Sequence, residues 1–452
     1  MRDIFNPRSV AVIGASADPR KVGHGVLKNL KDGGFFLTKF SQPFKGEIFP
    51  VNLDSKEILG LRCYRSLLHV KQPVDLAVIA IPAKAVLPVI KDCVKKRVKG
   101  IIIIAAGFAE TGEEGKKLQQ QIVSVVKKAR IPLIGPNCLG IINTHAPINA
   151  TFAPVMPPKG SVAFVSQSGA LADSILDWAV ENRYGFSKVV SYGNSADVDV
   201  NDILEFLSAD RETKAIALYV EGIDDGRRFM QVAGRCRKPV VVVKAGRAEG
   251  GMKAVGSHTG SLAGSFEVYR AAFRQSGIYY ADTLQELFDY AWMLSTQPRL
   301  KRNAVAVITN GGGCGVLAAD YCEMSGLSLA APGDGAFRKL DRKMHHAYSR
   351  RNPLDIVGDA LPDRYEAAIG AMLSDSSVHG LLVIETLQTM TSPVENAKVI
   401  VSARKRFPGK PIVCAFMGGK FTREGKMYLE AHGIPVFSQL DRAVRNLRVL
   451  LV

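Results

Sequence analysis

Val162-Ala163-Phe164-Val165-Ser166-Gln167-Ser168-Gly169-Ala170 reads as a buried strand, a turn of small residues and the start of a helix. Val305-Ala306-Val307-Ile308-Thr309-Asn310-Gly311-Gly312-Gly313 has the same form. Further on, Leu218-Tyr219-Val220-Glu221 parallels Val383-Ile384-Glu385. Lys238-Pro239-Val240-Val241-Val242 then parallels Lys410-Pro411-Ile412-Val413-Cys414. These four correspondences describe a divergent repeat of strand-turn-helix units. The later copy has no counterpart of Ser257-His258-Thr259-Gly260-Ser261-Leu262-Ala263-Gly264, so chemistry is expected in the earlier copy and a scaffold or interface in the later one.

Outward from this repeat, short apolar runs alternate with helical patterns along the whole chain. Strands are predicted at Ser9–Ile13, Glu47–Val51, Leu76–Ile81, Gly100–Ala105 and Pro132–Ile134, then at Val162–Val165, Lys188–Ser191, Ala215–Val220 and Val240–Lys244, and last at Ala304–Ile308, Leu381–Ile384 and Ile412–Phe416. Amphipathic stretches such as Lys84–Lys96 and Gly112–Ala129 lie between them. This alternation predicts parallel α/β sheets covered on both faces. Pro154–Gly160 and Gln297–Asn303 have linker chemistry, which gives three sections: 1–153, 160–297 and 303–452.

Composition narrows the class. A chain of 452 residues is too long for one ordinary core, and its 47% hydrophobic and 22% charged residues are those of a globular protein. No apolar run approaches the ~20 residues of a membrane span, and the N-terminus lacks a signal-peptide pattern. A cytoplasmic protein with no membrane association is expected. The seven cysteines show no metal-ligand spacing, so free thiols and no metal site are expected. The net charge of +17 is dispersed. Without a basic helix, an aromatic RNA motif or a zinc module, it argues for polyanionic metabolites or an acidic partner rather than nucleic acid.

The first section opens on Val10-Ala11-Val12-Ile13-Gly14-Ala15-Ser16, a strand and a small-residue turn of the kind that lets backbone approach phosphates. Two features oppose NAD. The turn is not Gly-x-Gly-x-x-Gly, and the second strand ends Val51-Asn52 where a ribose-binding acid is expected. Lys56 lies just beyond, placed to meet a phosphate. Turns at Ile81-Pro82-Ala83, Ala105-Ala106-Gly107-Phe108 and Gly135-Pro136-Asn137-Cys138-Leu139-Gly140 would converge on a groove for an extended nucleotide.

His258 follows the strand Val240–Lys244 within a glycine-rich stretch, Gly246 to Gly264, read here as a loop. An imidazole beside anion-binding backbone is a candidate phosphoryl carrier. With Val12–Ser16, Gly135–Gly140, Val165–Ala170, Tyr219–Ile223 and Ser257–Ser261 in this order, the chain resembles the α subunit of NDP-forming acyl-CoA synthetases, relatives of succinyl-CoA synthetase. The resemblance implies a Rossmann-like CoA-binding domain followed by two flavodoxin-like domains. It implies that Gly14, Ala15, Ser16, Lys21, Val51, Asn52, Lys56, Ile81, Pro82, Ala106 and Gly107 hold coenzyme A. His258 would be the phosphohistidine, oriented by Glu221, with phosphate held by Ser166, Gln167, Ser168, Gly169 and Gly260.

The activity so implied interconverts acyl-CoA, phosphate and ADP with acid, CoA and ATP, acetyl-CoA being the expected thioester. No section resembles an ATP-grasp module. A separate β subunit carrying ADP or ATP and magnesium is therefore expected, in an α2β2 assembly. The competing readings are a non-catalytic CoA-sensing subunit of the same fold and, opposed by the Gly14 turn and Asn52, an NAD-dependent oxidoreductase.

Overall fold

A computed structural model describes residues 1–259 and 265–451, with the backbone alone for 256–259. The chain divides into two compact units, Met1–Ala291 and Trp292–Val452. Among the described residues no helix is long and apolar enough to cross a membrane.

The first unit holds two large sheets. In the first, five parallel strands run in the order Glu47–Val51, Ser9–Ile13, Leu76–Ile79, Gly100–Ile103, Leu133–Ile134. Ser9–Ile13 and Leu76–Ile79 are buried throughout, as a sheet covered on both faces requires. The chain reverses direction across the sheet between these two strands, so a crevice opens beyond their carboxyl ends, at Gly14 and at Ala80-Ile81. Gly14 sits there at φ +90°, and a Cβ on it would lie 2.4 Å from the Ala80 carbonyl oxygen.

The second sheet repeats the parallel order in Lys159–Ser166, Phe186–Ser191, Ala215–Val220, Val240–Lys244 and Tyr279–Tyr280, with its own switch point between Lys159–Ser166 and Ala215–Val220. An antiparallel hairpin, Gly140–Asn143 and Ile148–Thr151, extends this sheet beside Phe186–Ser191. The boundary drawn at Pro154 leaves this hairpin with the first section in sequence, yet its hydrogen bonds belong to the second sheet. It also packs on the helix Val22–Asp32 of the first. Ile141, Ile148 and Ala150 share one buried cluster with Val26, Leu27 and Leu30. The fully buried Asn29 donates from Nδ2 to the carbonyls of Thr151 and Ala153, both at 2.8 Å.

In the second unit the strands Ala304–Thr309, Ser328–Leu329, Gly380–Thr386, Ile412–Met417 and Val436–Phe437 adopt the same order, with Leu354–Asp355 added beside the first. The repeat extends to side chains. Thr309 Oγ1 accepts from Gly311 N–H at 3.0 Å, as Ser166 Oγ accepts from Ser168 N–H at 3.2 Å. Asn310 Oδ1 accepts from Thr386 N–H at 2.7 Å, in the place where Gln167 Oε1 accepts from Glu221 N–H at 2.7 Å. By strand register Tyr219 matches Ile384, so Thr386 stands in the place of Glu221 and the expected pairing of Glu221 with Glu385 is off by one residue. Glu385 is fully buried against Asn396, whose Nδ2 donates to its Oε2 at 2.6 Å.

Candidate active site

The carboxyl ends of the first two sheets border one cavity of about 670 Å³. From the first sheet come Ile81, Pro82, Ala105 and Ala106, and from the second Gln167, Ser168, Gly169, Glu221 and Gly222. The Gly135–Gly140 turn adds Asn137, Cys138 and Leu139.

On the second-sheet side, the helix Gly169–Glu181 begins at the cavity. Ser168 caps it, its hydroxyl accepting from Leu171 N–H at 3.3 Å. The opening turn of that helix presents backbone N–H groups and positive dipole to the cavity, which suits an anion. Ser166 is fully buried beneath and is not on the cavity wall; its hydroxyl donates to the Ser168 carbonyl at 2.7 Å and so shapes the turn. Gln167 is a brace as well as a wall residue. Its Oε1 accepts from the N–H groups of Glu221 and Gly222 at 2.7 and 3.1 Å, which ties the end of Ala215–Val220 to the start of the helix.

Glu221 is 7% exposed and borders the cavity. Burial, the Glu221 charge and a hydrogen bond to that carboxylate push the Tyr219 hydroxyl up to about 12. From behind, the buried Lys244 donates through Nζ to the Glu221 carbonyl at 2.7 Å and lies 4.6 Å from the centre of the Tyr269 ring. Burial lowers the Lys244 pKa, and the Glu221 charge offsets part of that shift.

His258 occupies a helix, Glu249–Thr259, rather than the loop read from its glycines. Gly246, at φ +73°, turns the chain out of the strand. Glu249, Met252, Lys253 and Ala254 favour helix, and Glu249 pairs with Lys253 at 2.7 Å one turn on. The His258 side chain and Gly260 lie outside the described residues.

The coenzyme-side expectations divide. Ile81, Pro82 and Ala106 reach the main cavity. Lys56 borders a second one, of about 360 Å³, with Ser55, Arg62 and Arg65. Gly14, Ala15, Ser16, Lys21, Val51, Asn52 and Gly107 border neither. They build the turns instead. Asn52 donates from Nδ2 to the Ala15 carbonyl at 2.9 Å and accepts at Oδ1 from Asp54 and Ser55 N–H groups. Gly107 N–H donates to Glu110 Oε1 at 2.6 Å. The Gly14 N–H is bound to the Val51 carbonyl, and the Ser16 hydroxyl accepts from Asp18 N–H. Lys21 is exposed before the helix Val22–Asp32.

Other wall residues escaped the sequence reading. Asn194 donates to Glu110 and accepts from Asn137 at 3.3 Å, which joins the ends of the two sheets. Tyr192 is 1% exposed, and its hydroxyl has no hydrogen-bond partner among the described residues. Asp173, on the Gly169–Glu181 helix, also borders the cavity. Asp199 borders it too, but its carboxylate caps the helix Val200–Ala209 through a reciprocal pair with Asp202.

Three domain models cover the chain: a CoA-binding domain over residues 8–144, a succinyl-CoA-ligase-like flavodoxin domain over 159–294 and a ligase-CoA domain over 305–447. Over 96% of its length the chain is 43% identical to the α subunit of ADP-forming acetate–CoA ligase II of Pyrococcus furiosus, of which it covers 94%. The chain belongs to the NDP-forming acyl-CoA synthetase family. ADP-forming acetate–CoA ligase I of Archaeoglobus fulgidus is 44% identical over the whole chain, which spans 63% of that longer relative. The acetyl-coenzyme A synthetase 1 of Candidatus Korarchaeum cryptofilum, solved with phosphate and ADP, superposes with a TM-score of 0.91. It is 37% identical, the match covering 99% of this chain and 96% of that one. Within the family, three successive α/β domains are the architecture both the repeat and the domain models describe.

Proposed function

We propose that this chain is the α subunit of an ADP-forming acyl-CoA synthetase, with acetyl-CoA as thioester substrate. The observation that carries the reading is the shared cavity, which brings the Ile81-Pro82 and Ala105-Ala106 turns of the CoA-binding domain to the helix start and Glu221 of the next domain. Phosphate held at the Gly169–Glu181 helix start attacks the thioester carbonyl and CoA thiolate leaves, which forms an acyl phosphate. An imidazole nitrogen of His258 attacks the phosphorus and the carboxylate departs. The phosphoryl group then passes to ADP. Each carrier keeps a high transfer potential, so the chain's task is positioning and charge stabilisation.

In this reading Glu221 orients the His258 ring, and Gln167 fixes the Glu221 backbone. The second, basic cavity at Lys56, Arg62 and Arg65 serves CoA phosphates. Nucleotide and magnesium belong to a separate ATP-grasp β subunit in an α2β2, cytoplasmic enzyme, and the His258 segment moves between the two sites. The test is incubation with acetyl-CoA and labelled phosphate, with and without the partner subunit. We expect acid-labile, base-stable label on His258 that is lost in His258→Ala. No label, with the partner bound and CoA binding intact, would replace this reading with a CoA-sensing subunit.

A further inference from the structure

Asp173 lies one turn after Gly169 on the helix whose start faces the cavity, and it borders that cavity. Its Oδ1 is buried and has no hydrogen-bond partner among the described residues. Burial alone lifts this carboxyl to about 6, the range in which a carboxyl exchanges protons near neutrality.

Of the other titratable groups on the cavity wall, Asp199, Glu221, Tyr192 and Cys138 are engaged or out of range, and Asp224 is exposed to solvent. Asp199 caps a helix and pairs with Arg228 at 3.6 Å. Glu221 takes the Tyr219 hydroxyl. Asp199, Glu221 and Asp224 together act on the Tyr192 hydroxyl and raise its pKa, after burial. The Cys138 thiol is pushed up to about 12 by burial. No lysine, arginine or histidine borders the cavity among the described residues.

A half-buried carboxyl with one oxygen closed off and unpartnered costs stability, and a ligand at the cavity would complete it. Given the function proposed above, the ligands are an acid, phosphate and the CoA thiol. The first two are anions, which an ionised carboxylate repels. The thiol brings a proton that has to go elsewhere before the sulfur attacks.

We propose that Asp173 is the base that accepts the CoA thiol proton when acyl-CoA forms, and the acid that returns it in the reverse direction. In the forward step the Asp173 carboxylate takes the proton from S–H, and the sulfur lone pair forms the C–S bond at the acyl carbon. The C–O bond to phosphate breaks and phosphate leaves with the electron pair. In reverse, phosphate attacks the thioester and the departing thiolate recovers the proton from Asp173.

The test compares wild type with Asp173→Asn and Asp173→Ser, each purified with the partner subunit. Conversion of acetyl phosphate and CoA to acetyl-CoA is expected to fall about 100-fold in both variants. Its rise with pH near 6 should be present in wild type and absent in the variants. Labelling of His258 from ATP, which involves no thiol, should stay within about 2-fold, and CoA affinity by calorimetry within a few-fold. Thioester formation within about 3-fold of wild type, or equal losses in thioester formation and ATP labelling, would overturn the proposal. A wild-type enzyme that never labels His258 would overturn the underlying reading first, and is a distinct outcome.

Discussion

Gln167 shows how one side chain on the cavity wall can tie two backbone segments together. Its amide oxygen gathers two backbone N–H groups, so truncation strands both donors at the cavity wall. Gln167→Ala is expected to lower stability by about 1–3 kcal/mol and to cut His258 labelling at least 10-fold, read by calorimetry and phosphate incorporation. Gln167→Glu keeps the acceptor and should recover most of both. Gln167, Ser168, Gly169 and Glu221 were legible in the sequence because a strand followed by small residues always ends at the carboxyl edge of a parallel sheet. Asp173 and Tyr192 were not. Asp173 lies inside a helical run and Tyr192 follows a buried strand, and nothing in the local sequence marks either as a cavity residue. Only the meeting of two sheets turns both into cavity walls. The Ser166 hydroxyl, expected on phosphate, is buried in the turn and spent on the Ser168 carbonyl.

Elements show the same division. Ser9–Ile13, Ala215–Val220 and Val240–Lys244 have the bounds read from the sequence, because each is a buried apolar run with a sharp turn after it. The hairpin Gly140–Thr151 left no such mark. Its strands are four residues each and carry Asn143, Asn149 and Thr151 inward among buried neighbours. The helix around His258 was hidden by its glycines. At this scale the strand Gly380–Thr386 makes a prediction through Glu385. Burial lifts its carboxyl from 4.5 to about 7, against hydrogen bonding from Asn396. Folding therefore gains from its proton below pH 4.5 and loses that gain as pH rises through 7, a difference of about 3 kcal/mol. Its Oε1 and Asn396 Oδ1 are both buried without partners among the described residues. Glu385→Gln supplies a permanent donor, so it should stabilise the chain by about 1–3 kcal/mol at pH 8 and by little at pH 4, measured by denaturant titration at each pH.

The whole molecule consists of two compact units, and heat or denaturant should report them separately. Asn29 lies in the first unit and Glu385 in the second. Asn29→Ala removes the donor to two carbonyls between sheets, and should lower the transition of the first unit by about 2 kcal/mol while leaving that of the second in place. Glu385→Gln should do the reverse, raising only the second. A single shared shift in both variants would show that the chain unfolds as one body. The brace that Gln167 makes in one unit and Asn310 makes in the other has a historical meaning. A device present in both copies was in place before they diverged, whereas the histidine-bearing segment belongs to one. The copy that bears the histidine segment therefore carries it beside a turn whose brace is older than the segment, and the later unit keeps the same brace without that segment.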